Sequence, residues 1–202
     1  MILCLDLETS GLNEQRCGIL QIGATWLHDG DSFFRDCHVL TGADVEQGAL
    51  AVNGLTEERA RDPHTIPESM ALIEFLGWVK GAIPHGQRVQ LAAWNAHFDH
   101  RFLCAGLDRA HVKETYRPFH HRLIDCHSAL AVDLMRETLS EQIGMPDVRL
   151  IAHRFGDEVK NSDSAAELLN LPAEPKPHNA LNGAKQVRAM LRRILGDTGA
   201  LP

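Results

Sequence analysis

The chain has 202 residues, 44% of them hydrophobic, and its 27 Asp and Glu outnumber its 20 Lys and Arg to leave a formal net charge of −7. That length suits one substantial core, read here as a single domain over 1–202. The net acidity argues against a protein that coats nucleic acid by charge alone, though not against an enzyme whose metal ions neutralise phosphate. The opening MILCLDLETSGL has neither a basic n-region nor an unbroken apolar stretch, and no later window is long enough to cross a bilayer, so the predicted localisation is cytoplasmic with no membrane partner.

In chain order, Ile2-Leu3-Cys4-Leu5 suits a central strand, and Ile19–Leu27 with Phe33–Leu40 predict a hairpin around His28-Asp29-Gly30-Asp31. Glu68–Ala82 reads as a helix with Met70, Ile73, Leu76 or Trp78, and Val79 at helical spacing, and Arg88–Trp94 reads as a further strand. Helices follow over Phe98–Ala110, Ile124–Glu137, Val148–Phe155, Ser164–Leu169 and Asn179–Leu195. The proline-rich LPAEPKP, Leu171–Pro177, predicts a stiff surface loop entering the last helix. Strands early and helices late imply an α/β sandwich with a mixed sheet.

Five cysteines, Cys4, Cys17, Cys37, Cys104 and Cys126, form no CxxC pair and read as buried thiols. The pairs Cys37-His38, His120-His121 and Cys126-His127 lack a zinc-ligand spacing. Asp6 and Glu8 end the first strand, and the period-two alternation of a strand points both carboxylates to one side with Leu7 on the other. Two such acids suit a hard divalent cation, but polar strand ends are also common. Asp99 falls where a strand hands over to a helix, a place for functional groups and equally for an acid that complements the helix dipole. His178 stands near a helix start, where a histidine is commonly a surface or capping residue.

The ordered set DLETSGL, QIGA, GALAVNGLT, WNAHFDHRFL, IDC and HNALNGA resembles the DEDDh 3′→5′ exonucleases over essentially the whole chain. The resemblance implies the ribonuclease H-like fold, a mixed β-sheet flanked by helices. It further implies a two-metal hydrolysis that releases nucleoside 5′-monophosphates, with Asp6, Glu8 and Asp99 as ligands of two Mg²⁺ or Mn²⁺ ions about 4 Å apart and His178 as general base. Thr9, Leu12, Asn53, Trp94, Asn95 and Phe98 would line the terminal-nucleotide pocket, although Trp94 and Phe98 equally suit core packing. The implied partners are single-stranded DNA or RNA 3′ ends and a polymerase or repair protein. Lys185, Arg188, Arg192 and Arg193 on the last helix could follow a phosphate backbone, but a solvated polar face is the simpler account.

One position departs from that pattern. The family's third motif is H-x-x-x-x-D, and five residues after His178 stands Gly183. A helix-interior glycine costs about 1 kcal/mol relative to alanine, and no structural reason for it is visible in the sequence. Asn182 lies about 100° away around the helix, and Asp197 about 21 Å further along it. Glu174 could fold back, but nothing in the pattern requires it. Gly183 therefore reads as a vacancy that weakens one metal position, and Gly183→Asp is expected to raise activity. The alternative is a degenerate relative that binds nucleic-acid ends or a partner without cleaving, and a third reading is a deliberate replacement of a metal ligand.

Overall fold

A computed structural model describes residues 1–141, 156, 159–176 and 178–196, with side chains in the fifth helix described as far as residue 136. The helix expected over Val148–Phe155, and Asp197, lie outside the described residues. The strands are β1 (Ile2–Thr9), β2 (Ile19–Trp26), β3 (Ser32–His38), β4 (Ile66–Pro67), β5 (Gln90–Ala93) and β6 (Ile124–Asp125). The helices are α1 (Gln47–Asn53), α2 (Glu57–Ala60), α3 (Glu68–Ala82), α4 (Ala96–Arg109), α5 (Cys126–Glu141), α6 (Ser162–Leu168) and α7 (Ala180–Ile194), with a 3₁₀ turn at Glu114–Tyr116.

The six strands form one sheet in the order β4-β3-β2-β1-β5-β6. The hairpin pairs β1–β2–β3 are antiparallel, whereas β3–β4, β1–β5 and β5–β6 are parallel. The mixed sheet is the predicted one. Residue alternation along β1 sorts the two faces. Leu3, Leu5 and Leu7 join a core with Leu72, Phe75 and Val79 of α3 and with Phe102, Leu103 and Leu107 of α4. Cys4 turns the other way, into a core with Cys126 and Leu130 of α5, Ala165 and Ala166 of α6, and Val187 and Met190 of α7. Asp6 and Glu8 share the parity of Cys4 and so face α7.

Beyond shifts of a few residues at element ends, sequence and structure differ in four places. The helix over Glu68–Ala82 has the expected bounds, but it buries Ala71, Leu72, Phe75, Leu76 and Val79, while Met70 and Ile73 are about half exposed. That segment is apolar on most sides, and periodicity alone cannot choose which face meets the sheet. The helix expected from Ile124 starts at Cys126, because Ile124 and Asp125 pair with Ala92 and Ala93 to extend the sheet. Helices α1 and α2, strand β4 and the 3₁₀ turn are short elements that periodicity does not reveal. The segment before α7 is irregular and mostly exposed, as expected of a loop, but Glu174 turns inward and is buried.

Two positions bring α7 onto the site. Gly23 of β2 lies under the first turn of α7 so closely that a Cβ there would stand 2.0 Å from the Ala180 carbonyl carbon. Gln21 fastens the same turn, its Oε1 accepting from the Ala180 N–H at 3.2 Å. In the β1–β2 register Gly23 is paired with Asp6. One helical turn after Ala180, Gly183 therefore arrives over Asp6.

Candidate active site

Strand β1 outruns its parallel neighbour. Pairing with β5 ends at Cys4–Ala92, so the main-chain N–H of Leu7 has no strand partner on that side. Asp99, buried in the first turn of α4, takes it: Oδ1 accepts from Leu7 N–H at 3.0 Å. A carboxylate held by backbone donors while sealed from water is expensive unless something offsets its charge.

Asp6 and Glu8 are half-buried beside it. Burial raises the Asp6 carboxyl well above the usual range, and the neighbouring charges of Asp99, Glu8 and Glu174 push in the same direction. Glu8 is pushed up to about 7, first by burial and then by Glu174, with His178 acting in the opposite sense. Asp99 is raised chiefly by burial, against the opposing pull of its backbone hydrogen bonds. Asp6, Glu8, Asp99 and His178 thus lie near one another at the end of β1. The structure adds Glu174, which the sequence pattern does not require.

Glu174 is the buried acid of the proline-rich approach to α7. Its Oε2 lies 2.8 Å from His178 Nδ1, and its Oε1 accepts from the Asn179 N–H at 3.4 Å. On the other edge of the ring, Asp163 Oδ2 is 4.0 Å from Nε2. The available signal was the spacing of Glu174 and His178 at i, i+4 across Pro175 and Pro177, and nothing in a proline-rich segment says on which side its acid will fall.

Gly183 has a structural reason after all. A Cβ at 183 would lie 2.4 Å from Asp6 Oδ2 and 2.6 Å from its Cγ, so the absent side chain is what lets the Asp6 carboxylate rest against α7.

The expected pocket residues divide. Leu12 is 70% exposed on the turn after β1, and Asn95 is exposed at the start of α4. Thr9 and Asn53 are buried, and their side chains are engaged with the main chain. Thr9 Oγ1 donates to Gly11 O at 2.8 Å, and Asn53 Nδ2 donates to Thr9 O at 3.1 Å. Phe98 is half-buried with its ring centroid 4.9 Å from that of Phe102, and Trp94 packs edge-on to His127 with centroids 5.2 Å apart. Core packing therefore accounts for much of both rings. Arg188 is likewise committed to the fold, its Nε donating to the carbonyls of Trp26 and Leu27.

Among the described residues, no three Asp, Glu, His or Cys side chains are drawn together as the ligands of one ion. Asp99 is engaged by Leu7, Glu174 by His178, and Asp6 lies against α7. The donor set is nevertheless of the right kind for a hard cation: crowded carboxylate oxygens, with like charges raising the cost of ionising one another.

No protein-family model matches the chain. It is 31% identical over 126 residues to ribonuclease T of Marinobacter nauticus, a match spanning 57% of this chain and 56% of that protein. The match to ribonuclease T of Yersinia enterocolitica is 34% over 132 residues, covering 57% of each. The aligned part thus spans little more than half the length of these relatives. Among solved structures, the nuclease domain of 3′hExo, described as a DEDDh family member, superimposes with a TM-score of 0.63 at 16% identity over 100% of this chain and 94% of that one. Escherichia coli exonuclease I with an oligonucleotide gives 0.70 at 15% identity over 98% of this chain and 41% of its own. The six-stranded mixed sheet and its helices are those of the ribonuclease H-like exonuclease fold.

Proposed function

We propose that this chain is a divalent-metal-dependent 3′→5′ exonuclease acting on single-stranded or frayed DNA or RNA ends. The observation that carries the reading is the meeting of Asp6, Glu8, Asp99 and His178 at one end of β1, in a fold shared with exonucleases and in a sequence similar to ribonuclease T. Asp6, Glu8 and Asp99 would hold Mg²⁺ or Mn²⁺, which when bound supplies water activation and charge stabilisation at the leaving 3′ oxygen. His178 would take the proton of the attacking water at its Nε2 and so act as general base. Leu12, exposed beside the strand end, offers an apolar platform for the terminal base without selecting its identity. Asp99 keeps the end of β1 and the start of α4 in register through Leu7, which holds the acids to one geometry.

Gly183, five residues after His178 where the resembled H-x-x-x-x-D pattern would place an acid, favours one competing reading, a protein that binds nucleic-acid ends without cutting. A degradation assay separates the two. Oligonucleotides of DNA and RNA labelled at the 5′ end should yield a descending ladder with Mg²⁺ or Mn²⁺ and none with EDTA. Immediate release of a labelled mononucleotide would mean the opposite polarity and refute the proposal. Intact substrate that is retained by the protein would favour the binding role.

A further inference from the structure

The contact between Glu174 and His178 defines a chemical state as well as a location. An ionised carboxylate can only accept hydrogen bonds. With an ionised Glu174 whose Oε2 is 2.8 Å from Nδ1, the arrangement that makes this contact a hydrogen bond places the proton of a neutral His178 ring on Nδ1 and leaves the lone pair on Nε2. The nearest described acid on that edge, Asp163 Oδ2 at 4.0 Å, is beyond hydrogen-bond distance. A carboxylate that fixes one ring nitrogen sets both the tautomer and the orientation of the other.

The surroundings hold Glu174 to this task. Pro172 and Pro175 restrict the segment around it, and a residue before proline is biased towards extended backbone. Its second oxygen accepts from the Asn179 N–H, just ahead of the helix that Gly23 and Gln21 seat on the sheet. The carboxylate is therefore tied to both the ring and the start of α7, and it is buried against exchange with water.

We propose that Glu174 is a positioning residue for this site, holding His178 by Nδ1 so that Nε2 is presented as the proton acceptor. This rests on the exonuclease reading for its catalytic meaning but not for its geometry. It also bears on Gly183: the helix offers no acid at that position, while Glu174 enters from the preceding loop and adds its charge beside Asp6 and Glu8.

The test compares the parent with Glu174→Ala and Glu174→Gln, using His178→Ala to assign the ring. Nitrogen-15 NMR of the imidazole, on the folded protein at a pH where the ring is neutral, should show the parent with its proton on Nδ1. In Glu174→Ala the preference should be lost, and in Glu174→Gln, whose amide oxygen can still accept from Nδ1, it should remain. On an oligonucleotide substrate Glu174→Ala should lower kcat about 10- to 100-fold, with KM within about threefold of the parent. Glu174→Gln should recover most of that loss.

A parent ring protonated on Nε2 overturns the proposal whatever the activity. A folded Glu174→Ala protein with parental tautomer and kcat does so too. A Glu174→Ala defect that saturating Mn²⁺ repairs in full, with the tautomer unchanged, would make Glu174 a metal ligand and also overturn the positioning role. If Glu174→Ala fails to fold, the parent and Glu174→Gln spectra still decide. If no protein cleaves any substrate, the exonuclease reading fails while the tautomer result stands on its own.

Discussion

Replacing Gly183 with alanine sets two effects of opposite sign against each other in one residue. Removing a helix-interior glycine should stabilise α7 by about 1 kcal/mol. The new Cβ, however, would stand 2.4 Å from Asp6 Oδ2, and ordinary contact begins near 3.4 Å, so the carboxylate must retreat by about 1 Å. Overpacking of that size typically costs about 1–3 kcal/mol. The relief available here is the rotation of one short side chain, which places the cost at the low end, and the two effects should nearly cancel in stability. For function there is no such cancellation, because displacement by about 1 Å at a reacting centre can cost on the order of 100-fold. Gly183→Ala should therefore unfold within about 3 °C of the parent, given roughly 2–4 °C per kcal/mol at this size, yet bind Mn²⁺ more weakly and cleave at least about tenfold more slowly. Calorimetric titration with Mn²⁺ and thermal unfolding, run side by side, measure both. A variant that gains the full propensity benefit and binds Mn²⁺ like the parent would show that Asp6 does not rest on Gly183. The same Cβ bears on Gly183→Asp. The gain expected from sequence took no account of Asp6, and with Asp6 displaced the variant should bind Mn²⁺ better than Gly183→Ala but no better than the parent.

Raised carboxyl values set the pH dependence. Glu8 rises from its ordinary 4.5 to about 7, so the folded state holds a proton that the unfolded state releases, and stability should fall as pH rises through that window. Glu8→Gln should match the parent near pH 4 and exceed it by up to about 3 kcal/mol at pH 7.5 without divalent ions, as read from urea midpoints; a parent equally stable at both values relative to Glu8→Gln would contradict the crowding. Asp99→Asn keeps an acceptor for the Leu7 N–H while removing a buried charge, so it should melt a few degrees above the parent and lose about 100-fold or more in kcat. Asp99→Ala orphans that N–H and should instead lose about 1–3 kcal/mol, and equal melting of the two variants would refute the Leu7 contact. Leu12→Ala, at a 70% exposed position, should leave the melting temperature unchanged and raise KM severalfold, by loss of about 1 kcal/mol of apolar contact with the terminal base; an unchanged KM would remove Leu12 from the platform.

Much of this protein is written in local patterns. Alternation along β1 was enough to put Asp6 and Glu8 on one face and Leu7 on the other, and the hairpin of β2 and β3, the bounds of α3 and the position of α7 follow from spacing and turn residues. The ordered motifs carried the fold. Tertiary structure decided what periodicity leaves degenerate or cannot express. Which apolar face of α3 is buried depends on the shape of the sheet it meets, so Phe75 and Leu72 went inside and Met70 and Ile73 did not. Ile124 and Asp125 became a strand because Ala92 and Ala93 offered an open edge. Thr9 and Asn53 proved to be engaged with the main chain at the strand end, a use that no sequence spacing distinguishes from ligand contact. The reason for Gly183 and the place of Glu174 were both invisible in one dimension, because each is a contact between segments far apart in the chain or separated by prolines: a helix lying on Asp6, 177 residues earlier in the sequence, and a loop acid whose direction is settled only when α7 seats on Gly23.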